Sequence, residues 1–279
     1  MPSLLEERTE PGLNQRQRAA ARATPVSAYV TRLGRVGRGV LGIAILAVIW
    51  EVFPRLGVVN GYFLPPFHTV VAAWWDLLKD GDLLRNLRAS LVRSVAGFAI
   101  ATAVAIPVGV AIAWYRPIRE LLTPPLEVFR NTAALALLPA FTLILGIGET
   151  SKISIVVYAC FFPILLSTIT GVATVDQQLL RSARVLGLSP VATFRKVVFP
   201  AAVPTIFTGI RISGAAAILV LIAAELVGAT AGLGFLINYT QMNFLIPEMY
   251  AAILTTTLLG LAVNYGLVAL ERRFSRWRP

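Results

Sequence analysis

Charged residues are scarce in this chain. They make up 14% of its 279 residues, whereas 57% are hydrophobic, and soluble domains carry about 25% charged residues. The sequence also contains several apolar stretches of the roughly 20 residues that a helix needs to cross a bilayer. The composition therefore excludes an ordinary soluble domain and predicts an all-α membrane protein.

Cysteine, histidine and lysine are nearly absent. The single Cys160 excludes an intrachain disulfide and a Cys-based metal site, and the single His68 is a poor metal site without a second imidazole. A Walker A motif needs a Lys followed by Ser or Thr, but the three lysines are followed by Asp, Ile and Val. We therefore expect no metal or cofactor in this chain, and any ATP hydrolysis by that route must come from a partner. The three lysines are Lys79, Lys152 and Lys196.

Positive charge outweighs negative charge, and the formal net charge is +11. No basic stretch is interleaved with aromatic residues on a soluble module, which excludes nucleic acid as a partner. Cytoplasmic loops that orient a membrane protein and face anionic lipid account for the excess. Residues 1–38 are polar and contain seven arginines. They predict a cytoplasmic tail that buries no core, followed by a transmembrane domain over residues 39–279.

Six apolar runs are long enough to be transmembrane spans, and the loops between them alternate in charge. The tail, the loops after spans two and four, and the C-terminal segment are rich in arginine, whereas the other loops are poor in positive charge. By the positive-inside rule, both termini are cytoplasmic. Between the first two spans, Trp74 and Trp75 predict a short helix at the membrane interface. The expected spans cover residues 39–59, 88–114, 121–146, 152–174, 202–229 and 249–270.

The cytoplasmic segment between spans four and five, residues 176–200, is long and carries helix boundary signals. Asp176 is placed to cap a first helix. Gly187 suits the left-handed position that ends it. Ser189 and Pro190 then start a second helix, as N-cap and first helical residue. The segment therefore predicts a capped pair of short helices.

Pro200 and Pro204 mark the expected entry to span five, after the second helix. The residues before them alternate apolar and polar side chains, which predicts a short amphipathic helix along the cytoplasmic face. Two interpretations of the pair remain open. Either a cytoplasmic partner holds it, or the helices only contact lipid.

The same segment resembles the EAA loop of ABC importer permeases, which reads Glu-Ala-Ala, three residues, Gly, nine residues and Ile-x-Leu-Pro. Here Arg181-Ser182-Ala183 is followed by Gly187 and by Val197-Val198-Phe199-Pro200 with the spacing intact. Because Arg181 replaces the acid, the contact that the family makes through its Glu is not carried over, and a reversed charge on the partner is one expectation. The resemblance assigns coupling to Arg181, Ser182, Ala183, Leu186, Gly187, Leu188, Ser189, Pro190 and Pro200.

Four further segments, in order from about residue 62 onward, are similar to permeases for nitrate, sulfonate, taurine and related small anions. They read FLPPFHTV, RASLVRSVAGFAIATAVAIPVGVAIAW, ALALLPAFTLILGIGETSKI and AELVGATAGLGFLI. The resemblance implies a type I ABC importer permease fold with about six transmembrane helices, in the bacterial inner membrane. It implies a homodimer that forms the pathway, two cytoplasmic ATPase subunits that carry ATP and Mg, and a periplasmic or lipid-anchored solute-binding protein. The implied solute is a small organic or inorganic oxyanion.

Ionisable residues and helix breakers within the spans are the pathway and gate candidates. Two guanidinium groups in the cytoplasmic halves of their spans would favour an oxyanion, or they extend to headgroups or pair with a helix end. Glu225 and the glycines after it are expected to form a flexible mouth, as a gate or docking rim, or Glu225 is a structural cap partner. Pro107 and Pro139 are expected to interrupt spans two and three, and Arg93 to lie near the interface. The candidates are Arg130, Pro139, Arg211, Glu225, Gly232 and Gly234.

Two other classes of protein compete with the permease. A stand-alone secondary transporter or channel would need buried acids as relays, and Glu51 and Glu225 are the acids that the spans offer. It would also leave the capped segment 176–200 without a role. A membrane-embedded enzyme would need clustered catalytic groups, which the sequence does not contain.

Overall fold

The computed structural model describes residues 41–57 and 59–274. The predicted tail, residues 1–38, lies outside the described residues, as does part of the first expected span. Within that span, residues 41–55 form helix α1. The chain divides into two compact units after Phe67. In the first unit, the indole nitrogen of Trp50 donates to the carbonyl of Pro65 at 3.1 Å, which ties the end of α1 to the following segment.

The second unit is built of helices in its described part. They are α2 (Phe67–Lys79, beginning at the boundary), α3 (Asp82–Trp114), α4 (Arg116–Arg130), α5 (Leu138–Leu145), α6 (Glu149–Ala173), α7 (Gln177–Val185), α8 (Pro190–Thr193), α9 (Phe199–Glu225), α10 (Leu233–Met242) and α11 (Ile246–Phe274). A 3-10 turn, Ala134–Leu137, precedes α5, and a π-helical turn, Phe194–Val198, joins α8 to α9. The short helix predicted around Trp74 and Trp75 is confirmed as α2.

By length and composition, four helical stretches in the described residues are able to cross a membrane: α3, α6, α8 through α9, and α11. A fifth candidate is the bent pair formed by α4 with the 3-10 turn and α5. These stretches match the second to sixth spans expected from the sequence. Pro107 lies inside the continuous helix α3, so the expectation that it interrupts span two is wrong.

The third expected span, 121–146, is not one helix. It bends by 86° between α4 and the 3-10 turn. Three side chains bond the last carbonyls of α4: Asn131 Nδ2 donates to Glu127 O at 2.8 Å, Thr132 Oγ1 to Val128 O at 3.2 Å, and Tyr158 Oη to Phe129 O at 2.8 Å. Such side-chain bonds replace the amides of a following turn and allow the helix to end.

The second helix of segment 176–200 continues into span five, so the predicted boundary at Pro200 and Pro204 is wrong. Pro190–Glu225 is one continuous candidate span. Pro200 has no amide hydrogen to bond four residues back, and the helix adapts with the π-helical turn just before it. There the amide of Phe199 donates to Phe194 O, five residues earlier. The predicted separate bracket is therefore the first turns of the long helix.

Helix α6 packs along both α3 and α9 and is the centre of the second unit. The contact with α3 is close because small residues face α6. A Cβ at Gly97 would lie 2.7 Å from Val156 Cβ, and one at Gly109 would lie 2.8 Å from Thr168 Cβ. Small residues of this kind are typical of helix pairs within membranes. The buried Cys160 on α6 donates through Sγ to the carbonyl of Ser213 on α9 at 3.4 Å.

Candidate functional site

The segment 176–200 has capping hydrogen bonds at its helix boundaries. Asp176 Oδ1 accepts from the amide of Gln178 at 2.7 Å, which confirms the predicted N-cap of α7. Gly187 has φ +68°, the left-handed conformation expected at the end of this helix. The amide of Gly187 bonds Arg184 O at 3.0 Å, and the amide of Leu188 bonds Ala183 O at 3.1 Å. This pair of bonds is the Schellman motif, which satisfies carbonyls that a helix end leaves free.

The start of the second helix is confirmed as well. Ser189 Oγ accepts from the amide of Ala192 at 3.3 Å, and Pro190 occupies the first helical position. Because α8 runs through the π-helical turn into α9, a force on this cap acts directly on a membrane span. The first helix, α7, has no such continuation, since Gly187 ends it. The two helices of the segment are therefore mechanically unequal.

The exposed side chains of this segment are apolar at the turn between α7 and α8, which we call the tip, and basic on α7. Val185 is 87% exposed, and Leu186 and Val191 are each 76% exposed. Arg181 and Arg184 are also exposed, and no ion pair to either is found in the part of the chain that the structure describes. By contrast, Ala183 is buried. The exposed side chains are the residues available to a partner.

A second polar cluster lies at the opposite end of span five and centres on Arg93 of α3, which is 4% exposed. Arg93 Nη1 donates to Glu225 Oε1 and to Ala231 O, both at 2.6 Å. Its Nε and Nη2 donate to the two oxygens of Glu149, each at 2.5 Å. The Glu225 side chain is fully buried, whereas Glu149 is 63% exposed. One guanidinium thus joins α3, α6 and α9. We call Asn86, Ser90, Arg93, Glu149, Lys152 and Glu225 the outer network.

The outer network caps α10. The amide of its N-cap residue Gly232 and the amides of its first two residues have no partners within the helix, and side chains from α3 and α9 accept their hydrogen bonds. Gly232 N donates to Asn86 Oδ1 at 2.8 Å, Leu233 N to Ser90 Oγ at 2.8 Å, and Gly234 N to Glu225 Oε2 at 3.0 Å. Ser90 Oγ donates in turn to Glu225 Oε2 at 2.7 Å. The sequence left two interpretations of Glu225, a gate or docking rim and a structural cap partner. The hydrogen bond that its carboxylate accepts from Gly234 agrees with the cap partner.

The glycines after Glu225 allow this loop to approach α9 closely, and they do not indicate a flexible backbone. Gly232 has φ +121°, and a Cβ there would overlap the Glu225 carboxylate. A Cβ at Gly234 would overlap the backbone of α9 at Ile222. The expected flexible mouth is instead a loop held by hydrogen bonds. Its role as a gate or docking rim stays a prediction.

Lys152 belongs to the same cluster and not to an exposed loop. It lies in the first turn of α6 and is 4% exposed. Its Nζ donates to Gly148 O at 3.2 Å and to Gly228 O at 3.4 Å, which ties the loop after α9 to the start of α6. Lys152 therefore links two backbone segments within the outer network.

The remaining pathway candidates lie apart from this network in the chain. Arg130 ends α4 and pairs with Glu127 at 2.9 Å, with both side chains about half exposed. Arg211 on α9 pairs with Glu271 on α11 at 3.1 Å. Pro139 lies in the first turn of α5, where a proline needs no amide partner, so the expectation that it interrupts span three is wrong: the span breaks at residues 131–133. The pathway roles of these residues stay predictions.

Arg93, Asn86 and Ser90 were not among the candidates taken from the sequence. A signal was present, because the three polar residues follow one another at spacings of four and three along an apolar span. That spacing places them on one helix face, and the same face continues with small residues at Gly97, Ala101 and Ala105. A polar and small stripe of this kind indicates a face packed within the protein.

Comparisons with known proteins agree with the fold. The family model described as "Binding-protein-dependent transport system inner membrane component" matches residues 105–276. Among solved structures, the inward-facing MetNI methionine ABC transporter has a TM-score of 0.59 at 19% identity, covering 69% of this chain and 96% of that one. This likeness supports the fold, which is the type I ABC importer permease fold.

Relatives among characterised proteins are more similar in sequence. The taurine transport system permease protein TauC of Escherichia coli is 34% identical, over 84% of this chain and 87% of its own length. The nitrate import permease protein NrtB of Synechocystis is 32% identical, over 85% of this chain and 88% of its own length. The chain therefore belongs to the family of binding-protein-dependent transport system inner membrane components, as a multi-pass ABC transporter permease of the nitrate, sulfonate and taurine type.

Proposed function

We propose that this chain is the permease subunit of an ATP-driven importer, and that two copies form the pathway for a small organic or inorganic oxyanion. Two cytoplasmic ATPase subunits hold the segment 176–200, and a periplasmic or lipid-anchored solute-binding protein delivers the solute. Both termini lie in the cytoplasm. The family supports an importer, and the names of relatives that carry taurine and nitrate support the solute class.

The observation that carries the proposal is the exposed tip of the cytoplasmic segment. Three large apolar side chains, Val185, Leu186 and Val191, are more than three-quarters exposed on a turn whose helix boundaries are all capped. Exposed apolar surface on a rigid support is typical of a protein interaction site. Since α8 continues into α9, movement of a bound partner is transmitted to a span without a flexible joint.

Energy for transport must then enter through this contact. The chain has no Walker A motif, so ATP and Mg belong to the partner subunit. Closure of the ATPase pair would displace the segment, and differential contacts in the two states would shift the permease between inward- and outward-facing forms. A coupling element of this kind must be stiff, and the Schellman motif at Gly187 supplies that stiffness.

Replacement of Gly187 tests the proposal. Gly187→Val places a branched side chain at φ +68°, although nothing lies within 4 Å of the new Cβ. The strain, about 1–2 kcal/mol, falls on the turn that presents the exposed tip. We expect the purified permease to lose most of the ATPase that otherwise co-purifies with it, together with ATP-driven uptake into proteoliposomes.

Gly81→Val is the matched control. Gly81 has φ +79° and open space around a Cβ, as Gly187 does, but it precedes α3 in the loop between spans one and two, which is poor in positive charge. It should carry a similar local strain and retain the ATPase. Equal loss in both variants would contradict the proposal. Solute uptake by the purified chain without any ATPase would favour a stand-alone transporter or channel instead.

A further inference from the structure

Two open cavities lie where segment 176–200 meets the ends of the membrane spans. The first has a volume of about 520 Å³, and its lining includes Trp114 of α3, Val172 of α6 and Arg184 of α7. The second, of about 430 Å³, lies between α3 and the start of the second helix of the segment, and it follows α3 from Pro107 to Tyr115. We call the first the basic cavity and the second the apolar groove.

The basic cavity contains an unpaired cation. Arg184 lines the cavity and is exposed, and no ion pair to it occurs within residues 41–57 and 59–274. Thr193 contributes a hydroxyl, and the other lining side chains are apolar or aromatic. Segment 176–200 carries four basic residues and one acid, Asp176, whose carboxylate already caps α7. Because a guanidinium binds phosphate or carboxylate through paired hydrogen bonds, this cavity suits an anionic group.

The apolar groove extends from the end of α3 into the membrane. Pro107 and Tyr115 both line it, and the eight residues between them correspond to about 12 Å of helix rise. Helix α3 is a candidate span that ends at Trp114, and Trp and Tyr are enriched where a span meets the membrane surface. The groove therefore begins at the level of the headgroups and continues toward the hydrocarbon.

The two cavities adjoin, since Trp114 and Pro190 line both of them. The ring of Trp114 packs edge to face on Phe194, with centroids 5.1 Å apart, which holds it at the boundary. An occupant of both cavities needs an anionic group and an apolar chain. An acidic side chain of a soluble partner would fit the basic cavity alone, because it has no chain to follow the groove into the hydrocarbon. A phospholipid has both parts.

We propose that segment 176–200 binds an anionic phospholipid of the adjacent leaflet, with the phosphate at Arg184 and one acyl chain in the apolar groove. Basic pockets between membrane helices are suited to phospholipid headgroups. The bound lipid would connect the ends of α3 and α6 to both helices of the segment and hold the segment at the membrane surface. The site does not depend on the importer function, because it needs only this chain and the bilayer.

The sequence left a protein partner and lipid as alternatives for this segment, and the structure offers a separate surface to each. Val185 and Leu186 are exposed at the tip and line neither cavity. Val191 belongs to both surfaces, since it is 76% exposed and lines the groove. A lipid in the groove thus leaves most of the tip available to the ATPase.

Trp114 is able to report the bound lipid directly, because it lines both cavities. Full-length permease in detergent micelles would be titrated with phosphatidylglycerol or phosphatidylcholine that carry the same dibrominated acyl chains, which quench tryptophan fluorescence on contact. Trp114→Phe supplies the background from the other tryptophans. We expect phosphatidylglycerol to bind about fivefold more tightly, the equivalent of ~1 kcal/mol for one basic residue beside anionic lipid at ~1.4 kcal/mol per tenfold.

Two pairs of variants test the headgroup and the chain separately. Arg184→Gln should remove most of the preference for phosphatidylglycerol. Its control is Arg181→Gln, because Arg181 is also an exposed residue of α7 but lines neither cavity. Ala111→Phe fills the groove and should remove most of the Trp114 quenching by either lipid. Ala103→Phe makes the same change at an exposed position of α3 outside both cavities, and it should leave the quenching unchanged.

Equal affinity for the two lipids would overturn the inference. Equal effects of Arg184→Gln and Arg181→Gln would do so as well, since they would indicate a general attraction by surface charge. Equal quenching in Ala111→Phe and Ala103→Phe would mean that the chain lies elsewhere. Glycerol 3-phosphate, a headgroup without a chain, should compete weakly, and competition as strong as that of the lipid would indicate a site for soluble phosphates instead.

The same variants distinguish lipid from an acidic protein partner. If Arg184→Gln lost the co-purifying ATPase but kept the lipid preference, Arg184 would belong to the protein contact and the lipid site would be refuted. Lipid binding is measured on the permease alone. Its failure therefore leaves the proposed importer standing, and a failure of ATP-driven uptake leaves the lipid site standing.

Discussion

Replacement of Arg93 by methionine tests the outer network most directly, because Met has a similar length and carries neither charge nor donors. Arg93→Met leaves the Glu225 carboxylate fully buried, with Ser90 Oγ and the amide of Gly234 as its remaining donors. Removing one partner of a buried ion pair typically costs about 3–5 kcal/mol, because the other charge stays uncompensated. The two bonds to Glu149 add little, since that side chain is 63% exposed and exposed pairs contribute about 0–1 kcal/mol.

The loss of stability in Arg93→Met should be smaller when the unpaired carboxylate of Glu225 is removed as well. Glu225→Gln keeps an oxygen that accepts from Gly234 N and from Ser90, so the cap of α10 survives. We therefore expect the double variant Arg93→Met with Glu225→Gln to be more stable than Arg93→Met alone, by about 2 kcal/mol. The single Glu225→Gln should cost about 1–3 kcal/mol, because Arg93 retains Glu149 and Ala231 O as partners.

Reversible unfolding of the full chain in mixed micelles, by titration with a denaturing detergent, measures these free energies. The four proteins form a double-mutant cycle, and the cycle reports the coupling of the two side chains. Additivity within about 0.5 kcal/mol would refute the reasoning, since it would mean that Arg93 and Glu225 do not stabilise each other. A double variant less stable than Arg93→Met would refute it too.

Two further predictions concern the segment 176–200 and Arg211. Asp176→Ala and Ser189→Ala each remove a cap and should cost about 0.5–2 kcal/mol of local stability, seen as faster amide hydrogen exchange at Gln178 and Ala192; unchanged exchange would contradict the caps. Since Arg211 pairs with Glu271 on α11 and both are partly exposed, Arg211→Ala and Glu271→Ala should each change stability by less than about 1 kcal/mol and leave oxyanion uptake equal. A loss of uptake in Arg211→Ala alone would place Arg211 in the pathway.

Structural features that depend on a few neighbouring residues could be predicted from the sequence. The caps at Asp176 and Ser189, and the left-handed Gly187, depend on side chains and backbone within five residues of each other. Local hydrogen bonds of this length need no knowledge of the fold. The membrane class was equally accessible, because it follows from composition and the length of apolar runs.

Helix boundaries in the third and fifth spans were not predictable from such signals. Helix α4 is more polar than α5, but this difference in apolar content does not show the break. One of the three hydrogen bonds at the break comes from Tyr158, which lies 29 residues from the carbonyl that it bonds. In the fifth span, two prolines predicted a boundary, but packing of α9 against α6 keeps the helix continuous and a π-helical turn absorbs the missing bond.

The sequence by itself determined that this chain is a helical membrane protein and where the helices of segment 176–200 are capped, because composition and local hydrogen bonding are properties of short stretches. Only the tertiary structure decided which ionisable residues meet. Arg93 and Glu225 lie 132 residues apart, and a buried charge selects its partner by burial and distance across packed helices. A linear pattern of residues does not contain those distances.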